Sequence, residues 1–330
     1  MSAIFYLVTF VGFTATVALC IYLFFKIRNY ERATMFSLSN TLDCGTLTCP
    51  MDPVELPVPD TTTTPQQYSA TVARYCADLI LRVENAYTAS SPVVVPSGLQ
   101  DLCTLFSDKS SKLAFGKIFW EAQQGTLFLV FRGSQTVYEW LHDIDFRLTR
   151  FVPKNASKRA TQSKFSFNNI LTKNINNKGK ILIHTGFLEI FEYIKPLIDQ
   201  TIARLADPPR QIICTGHSVG AAIAVLAAVH CRSTCCYVYA LPRMGNPEFA
   251  EFIDGGVSSP LVFKHVNTCD GVPSLPSSVC PNFKKIKKPF FFNDFGKTLT
   301  FTRNRKSMTL NHLLVTYIRA HDENAYSRLF

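Results

Sequence analysis

The chain offers a nucleophile, a carboxylate and a base in an order that suits acyl transfer. Gly216-His217-Ser218-Val219-Gly220 sets a serine two residues from a glycine on either side. An apolar segment, Gln211–Thr215, precedes it, and a small-residue apolar run, Ala221–Ala228, follows. The first predicts a buried strand and the second a helix packed closely on a sheet. A sharp turn from strand to helix strains the serine backbone, so the positions two residues before and after it must be small. Such a turn lifts Oγ clear of the sheet. It also aims the helix N-terminus at the charge that develops during acyl transfer.

A serine hydroxyl is a weak nucleophile until a base within hydrogen-bond reach takes its proton, and the base needs a carboxylate to fix its tautomer. Asp270 follows the apolar segment Leu261–Val266, within the stretch Asn267–Pro276. Catalytic groups of open α/β sheets sit at the carboxyl ends of strands, which favours Asp270. The plain alternative is that Asp270-Gly271 is only a turn. Asp254-Gly255 is a rival carboxylate, but it follows a helical segment.

Two histidines compete for the base. His312 follows Asn311, a good N-cap, and opens an amphipathic pattern through Leu313, Leu314, Tyr317 and Ile318. His321 falls later in the same helix, beside Asp322 and Glu323, and reads as a solvated face. His312 is therefore the preferred base. His217 should point away from Ser218 Oγ and reads as structural; His142, His184, His230 and His265 have no comparable setting.

The oxyanion of an acyl-transfer intermediate needs donors. The amide of Val219, next after the nucleophile, is one. Phe131-Arg-Gly-Ser-Gln135 ends an earlier strand and supplies a second. There Gly133 permits close approach of the backbone, and Ser134 has both an amide and a hydroxyl. Val137–Ile144 follows, with Val137, Trp140 and Leu141 at helical spacing. It reads either as a core helix or as a lid whose apolar face covers the site in water and turns to lipid at an interface.

The elements that must position these groups are alternating strands and helices. Strands are expected at Leu113–Glu121, Thr126–Arg132, Ile181–His184, Cys235–Leu241 and Leu261–Val266. Helices are expected from Tyr68 onward, with Val72, Tyr75, Cys76, Leu79, Ile80 and Val83 on one face, then at Phe187–Leu205 and near Pro247–Ile253. That alternation predicts an α/β domain, a mainly parallel sheet covered by helices on both faces.

The 330 residues are 47% hydrophobic and 18% charged, which excludes a wholly disordered chain. The net charge of +10 suits an anionic partner, and no nucleic-acid-binding motif is present, so a membrane surface is the expectation. Ile4–Phe25 is uncharged and long enough to span a bilayer, with Lys26, Arg28 and Arg32 directly after it. A single-pass N-terminal transmembrane helix is preferred to a cleaved signal peptide. The chain then divides into an anchor over 1–28, a Pro/Thr-rich linker over 29–67 and a catalytic domain over 68–330. The positive-inside rule puts the domain in the cytoplasm. Eleven cysteines, with Cys44/Cys49 and Cys269/Cys280 close in sequence, favour an oxidising secretory or envelope surface instead. Residues 146–188 carry nine basic side chains, Arg147 to Lys180, and no acidic one; Lys284, Lys285, Lys287 and Lys288 form a second cluster. Each is either a solvated loop or a surface facing anionic lipid.

Together, Phe131–Ser134 with Glu139–Asp143, His184–Leu188, Gly216–Gly220, Asn267–Pro276 and Asn311–Tyr317 resemble the class 3 lipase family, in the family's order, over about residues 68–320. The resemblance implies an α/β-hydrolase fold, a cofactor-free and metal-free triad of Ser218, Asp270 and His312, an oxyanion residue at Ser134, and a short helical lid after it. It implies a lipase acting on glycerolipid esters, or a phospholipase or monoacylglycerol esterase with the same triad. Val219 stands where the family more often has Leu, which leaves its amide unchanged. The long basic stretch and the N-terminal apolar segment also depart from the family's secreted members.

Overall fold

The computed structural model describes residues 51–62, 67–107, 114–133, 148–152, 179–255, 259–276, 279–280 and 290–329. The apolar Ile4–Phe25 segment, Ser134, the lid residues Val137, Trp140 and Leu141, and most of both basic stretches lie outside them. Among the described residues no helix is long and apolar enough to cross a membrane.

The chain from Pro53 to Phe330 folds as one unit. In order it carries α1 (Ala70–Thr88), β1 (Gln100–Leu105), β2 (Gly116–Glu121), β3 (Thr126–Phe131), β4 (Leu148–Arg150), β5 (Leu182–His184) and α2 (Thr185–Ala203). Then come β6 (Gln211–His217), α3 (Val219–Cys231), β7 (Cys235–Tyr239), α4 (Pro247–Gly255), β8 (Leu261–Asn267), β9 (Val279–Cys280) and β10 (Phe290–Phe291). The last are β11 (Lys297–Phe301), α5 (Met308–His312), α6 (Leu314–Asp322) and β12 (Ser327–Leu329). Eight strands form the main sheet in the order β1-β2-β3-β6-β7-β8-β11-β12. Pairing is parallel from β3 through β11 and antiparallel at both edges.

β3 is buried along its whole length, as a strand covered on both faces must be. Helix α3 is buried over Val219–Ala228, and its five alanines let it lie close on the sheet. Ser69 caps α1 by accepting from the Val72 amide at 3.3 Å. The face of α1 expected from periodicity, Val72 to Val83, is the face it buries.

Three expectations change. First, the segment before α1 is not all solvated linker, because residues 53–62 are bonded along the domain. The Val54 amide donates to Asp78 Oδ1 (3.1 Å), Arg82 Nη2 donates to the Val54 carbonyl (3.1 Å), and the Thr61 amide donates to Gln124 Oε1 (2.7 Å). An extended Pro-rich chain satisfies none of its own backbone groups, so side chains of the domain supply the partners. Second, Cys76, Cys214, Cys235 and Cys236 are buried free thiols, and Cys269 is free as well. Burial pushes the Cys235 thiol up to about 12. The four buried cysteines serve as small core residues, not bridges. Third, the C-terminal helix is two helices. Ser307, not Asn311, caps α5 by accepting from the Leu310 amide, and extended backbone at Leu313 (ψ 137) starts α6.

Candidate active site

β6 ends at His217, and the chain turns into α3 through Ser218, whose φ of 56 and ψ of −122 are strained for a side chain of its kind. The Ser218 amide donates to the Tyr239 carbonyl at 2.9 Å, which ties the turn to β7. A Cβ on Gly216 would collide with the Gly220 carbonyl, and one on Gly220 with the Arg132 carbonyl. The small residues flanking the serine are thus demanded by packing. The turn leaves the Val219 amide at the N-terminus of α3.

Asp270 follows β8, and His312 ends α5. His312 Nδ1 lies 2.7 Å from Asp270 Oδ2, the same oxygen that accepts from the Tyr317 hydroxyl at 2.6 Å; Asp270 Oδ1 accepts from the Val272 amide at 2.9 Å. The carboxylate therefore fixes the proton on Nδ1 and leaves Nε2 as the basic nitrogen. Burial opposes the Asp270 charge, but the bonds from His312, Tyr317 and Val272 outweigh it and hold the carboxyl below its usual value. Burial lowers the His312 pKa, Asp270 opposes that shift, and His217 adds to it. Ser218 Oγ and His312 Nε2 are both buried, and neither has a hydrogen-bond partner among the described residues.

Two asparagines lock the aspartate and histidine loops together. Asn267 Nδ2 donates to the Asn311 carbonyl (3.1 Å) and the Arg303 carbonyl (3.0 Å), and Oδ1 accepts from the Cys269 amide (3.2 Å). Asn311 Nδ2 donates to the Cys269 carbonyl (3.0 Å), and its Oδ1 accepts from the Arg305 amide (2.7 Å). The segment at the end of β3, Arg132–Gly133, is braced as well. The Arg132 guanidinium donates to the Gly133 carbonyl (2.6 Å) and the Ala114 carbonyl (2.7 Å) and stacks 3.4 Å from the Tyr87 ring centroid. The Gly133 amide donates to Glu84 Oε1 at 3.1 Å.

The chain thus brings Ser218, Val219, Asp270 and His312 to one end of the sheet; Ser134 and the lid residues lie outside the described residues. His217 turns away from the serine hydroxyl, toward Glu84 and the His312 carbonyl. His321 is not on a solvated face. It packs 4.5 Å from the Tyr326 ring and 5.0 Å from the His265 ring, and burial lowers its pKa to about 3. Its acidic neighbours are engaged elsewhere: Asp322 with Arg74 and Glu323 with Arg303. Asp254 accepts from the Gly296 amide (2.7 Å), an exposed turn contact. Sequence reasoning missed Glu84, Asn267, Asn311's clamping role and Tyr317's hydroxyl. Only Tyr317 left a signal, as a polar tip on the apolar face of α6.

Residues 128–280 match the family profile described as Lipase (class 3). The secreted mono- and diacylglycerol lipase 1 of Fusarium solani is 36% identical over 103 residues, covering 29% of this chain and 30% of that protein. The lipase of Rhizomucor miehei is 26% identical over 188 residues, covering 52% of this chain and 42% of that protein. The chain therefore spans less than half the length of these two curated relatives. A solved structure of Rhizomucor miehei triacylglyceride lipase superposes with a TM-score of 0.51 at 19% identity, over 71% of this chain and 80% of that one. That likeness, with the mostly parallel sheet and its helices, is the α/β-hydrolase fold.

Proposed function

We propose, from the premise that this chain belongs to the class 3 lipase family, that it hydrolyses acyl esters of glycerolipids through Ser218, His312 and Asp270. The observation that carries this reading is the His312–Asp270 bond at 2.7 Å, with His312 Nε2 and Ser218 Oγ both buried and without a hydrogen-bond partner among the described residues. His312 Nε2 takes the proton of Ser218 Oγ as the oxygen attacks the acyl carbonyl. The oxyanion forms beside the Val219 amide, with Ser134 as the second donor. When the C–O bond to the alcohol breaks, His312 returns the proton to the leaving oxygen and an acyl-serine remains. Water, deprotonated by His312, then attacks that ester, the acid leaves and Ser218 regains its proton.

The surface part of the proposal rests on sequence. Ile4–Phe25 is the proposed anchor, the basic stretches face anionic lipid, and Val137, Trp140 and Leu141 form the lid. Partial glycerides are a favoured substrate class, because the Fusarium solani relative is named for them. A phospholipid is the other arm of the test.

Fluorophosphonate labelling of wild type and Ser218→Ala, followed by a panel of tri-, di- and monoacylglycerol and phospholipid, tests the reading. Labelling of Ser218→Ala equal to wild type would overturn the triad. A catalytically dead binding module would show no labelling of either. For the lid, Trp140→Ala should lose more activity on an emulsion than on a dissolved p-nitrophenyl ester. Equal loss on both, with vesicle binding insensitive to salt, would leave an esterase of soluble substrates.

A further inference from the structure

His217 is buried, and each of its ring nitrogens meets an acceptor. Nδ1 lies 2.9 Å from Glu84 Oε1, and Nε2 lies 2.9 Å from the His312 carbonyl oxygen. A carbonyl can only accept, so Nε2 carries a proton. Glu84 Oε1 already accepts the Gly133 N–H, and 24% of the Glu84 side chain reaches solvent, so the carboxylate form is favoured there. Nδ1 must then carry a proton as well. A neutral imidazole has one N–H, and two make an imidazolium.

We infer that Glu84 is a positioning residue of this site: its carboxylate holds His217 as a doubly protonated imidazolium that joins the oxyanion loop, the nucleophile turn and the base loop. This rests on the triad reading above. One oxygen of Glu84 binds the Gly133 amide and the ring of the residue before the nucleophile, and the far side of that ring grips the backbone of the base. Movement of any one loop would strand a buried donor or acceptor.

The charge has a second effect. The His217 ring lies 4.8 Å from the His312 ring at 31°, close enough for one cation to oppose another. The groups facing His217 are Glu84 on α1, His312 at the end of α5, Asp270 after β8 and Tyr317 on α6, with its ring 6.2 Å away. Arg132 acts on Glu84 from the end of β3. Burial alone would lower the His217 pKa, but Glu84, the His312 carbonyl and Asp270 raise it above the ordinary value. For His312 the charge of His217 outranks that of Glu84. The pair therefore helps to keep the base unprotonated, and able to accept the serine proton, at lower pH.

The test combines imidazole NMR with a pH profile on the full chain. In wild type labelled with 15N-histidine, at neutral pH, one ring assigned by its loss in His217→Asn should show two N–H protons and imidazolium nitrogen shifts. In Glu84→Gln, kcat/KM for a dissolved p-nitrophenyl ester should drop about tenfold on the plateau, the loss of one charge-assisted bond. Its acid limb should also move to higher pH, and Glu84→Asp should move the limb part of the way back. A single N–H on His217 in wild type would overturn the inference. So would an acid limb in Glu84→Gln that superimposes on wild type after scaling. Should Glu84→Gln fail to fold, the wild-type spectrum decides alone. The spectrum needs no turnover, so an active Ser218→Ala would sink the triad without touching this result.

Discussion

Two pairs of packed histidines lie in this domain at nearly the same ring separation, 4.8 Å for His217–His312 and 5.0 Å for His265–His321, and only His321 of the four is partly exposed. The first pair is wired to carboxylates, Glu84 and Asp270. The second is wired to tyrosines and backbone. His265 Nδ1 donates to the Val238 carbonyl (3.1 Å), Nε2 accepts from the Tyr68 hydroxyl (3.2 Å), and the ring stacks on Tyr239 at 4.5 Å and 15°. Burial lowers the pKa of His265 well below the ordinary value, and that of His321 to about 3, with Arg74 adding to the second shift. Burial by itself makes a histidine a neutral aromatic packing residue. A carboxylate partner gives it a fixed tautomer, as Asp270 does for His312, or a fixed charge, as Glu84 does for His217.

The sharpest way to break this contrast is to delete one histidine from each pair. His312→Ala and Ser218→Ala should each lose on the order of 10⁶-fold in kcat, leaving only what binding and the oxyanion donors supply. His321→Ala should keep esterase activity within a few-fold. A dead His321→Ala that still folds, by far-UV and near-UV CD, would move the base to the wrong pair. Next in size is Asp270→Asn, which keeps the shape but permits the wrong tautomer of His312; kcat should fall by about 10⁴-fold. A loss under about tenfold would mean that Asp270 does not orient the base. Tyr317→Phe removes one of three donors to Asp270 and should cost about tenfold in kcat/KM, with a stability loss of about 2 kcal/mol in urea unfolding. No change in either would show that the 2.6 Å contact does no more than fill space.

What could be read in advance follows from the kind of constraint. The serine turn is a steric device, and steric demands write themselves locally: Gly216 and Gly220 stand two residues either side of the serine because the backbone permits nothing larger there. The parallel strands were readable because burial on both faces makes continuous apolar runs such as Thr126–Phe131. The edge strands β1 and β12 and the strand β11 were not expected, since each is short, Lys297–Phe301 has only two apolar residues, and its partners lie far away in sequence. The site's supporting shell was hidden for a similar reason. Glu84 lies 133 residues from His217, and Asn267 lies 44 from Asn311; nothing local marks either one as a partner. The break at Leu313 was masked because Leu313 and Leu314 continue the apolar pattern that one unbroken helix would show.

The smallest predicted effect separates the pairs by stability rather than rate. The folded pKa of His321 is depressed to about 3, while an unfolded histidine titrates at about 6.5. Between those values the unfolded chain binds one more proton than the folded chain. Stability from neutral His321 is therefore complete above the unfolded value and drains away as pH falls toward the folded one, by about 1.4 kcal/mol per pH unit. His265 contributes in the same sense. His217 has the opposite sign: its folded pKa is raised, so its contribution is present at low pH and is lost as pH rises through the folded value. His321→Gln removes one titrating group and leaves the Ser218 site untouched. Urea unfolding at about pH 6 and at about pH 4.5 should give a smaller acid-induced loss in His321→Gln than in wild type, with ester hydrolysis at neutral pH unchanged. Glu84→Gln should not flatten the acid slope in this way. Equal slopes in wild type and His321→Gln would mean that His321 is accessible to protons in the folded chain, and the distinction between packed and wired histidines would fail on the packed side.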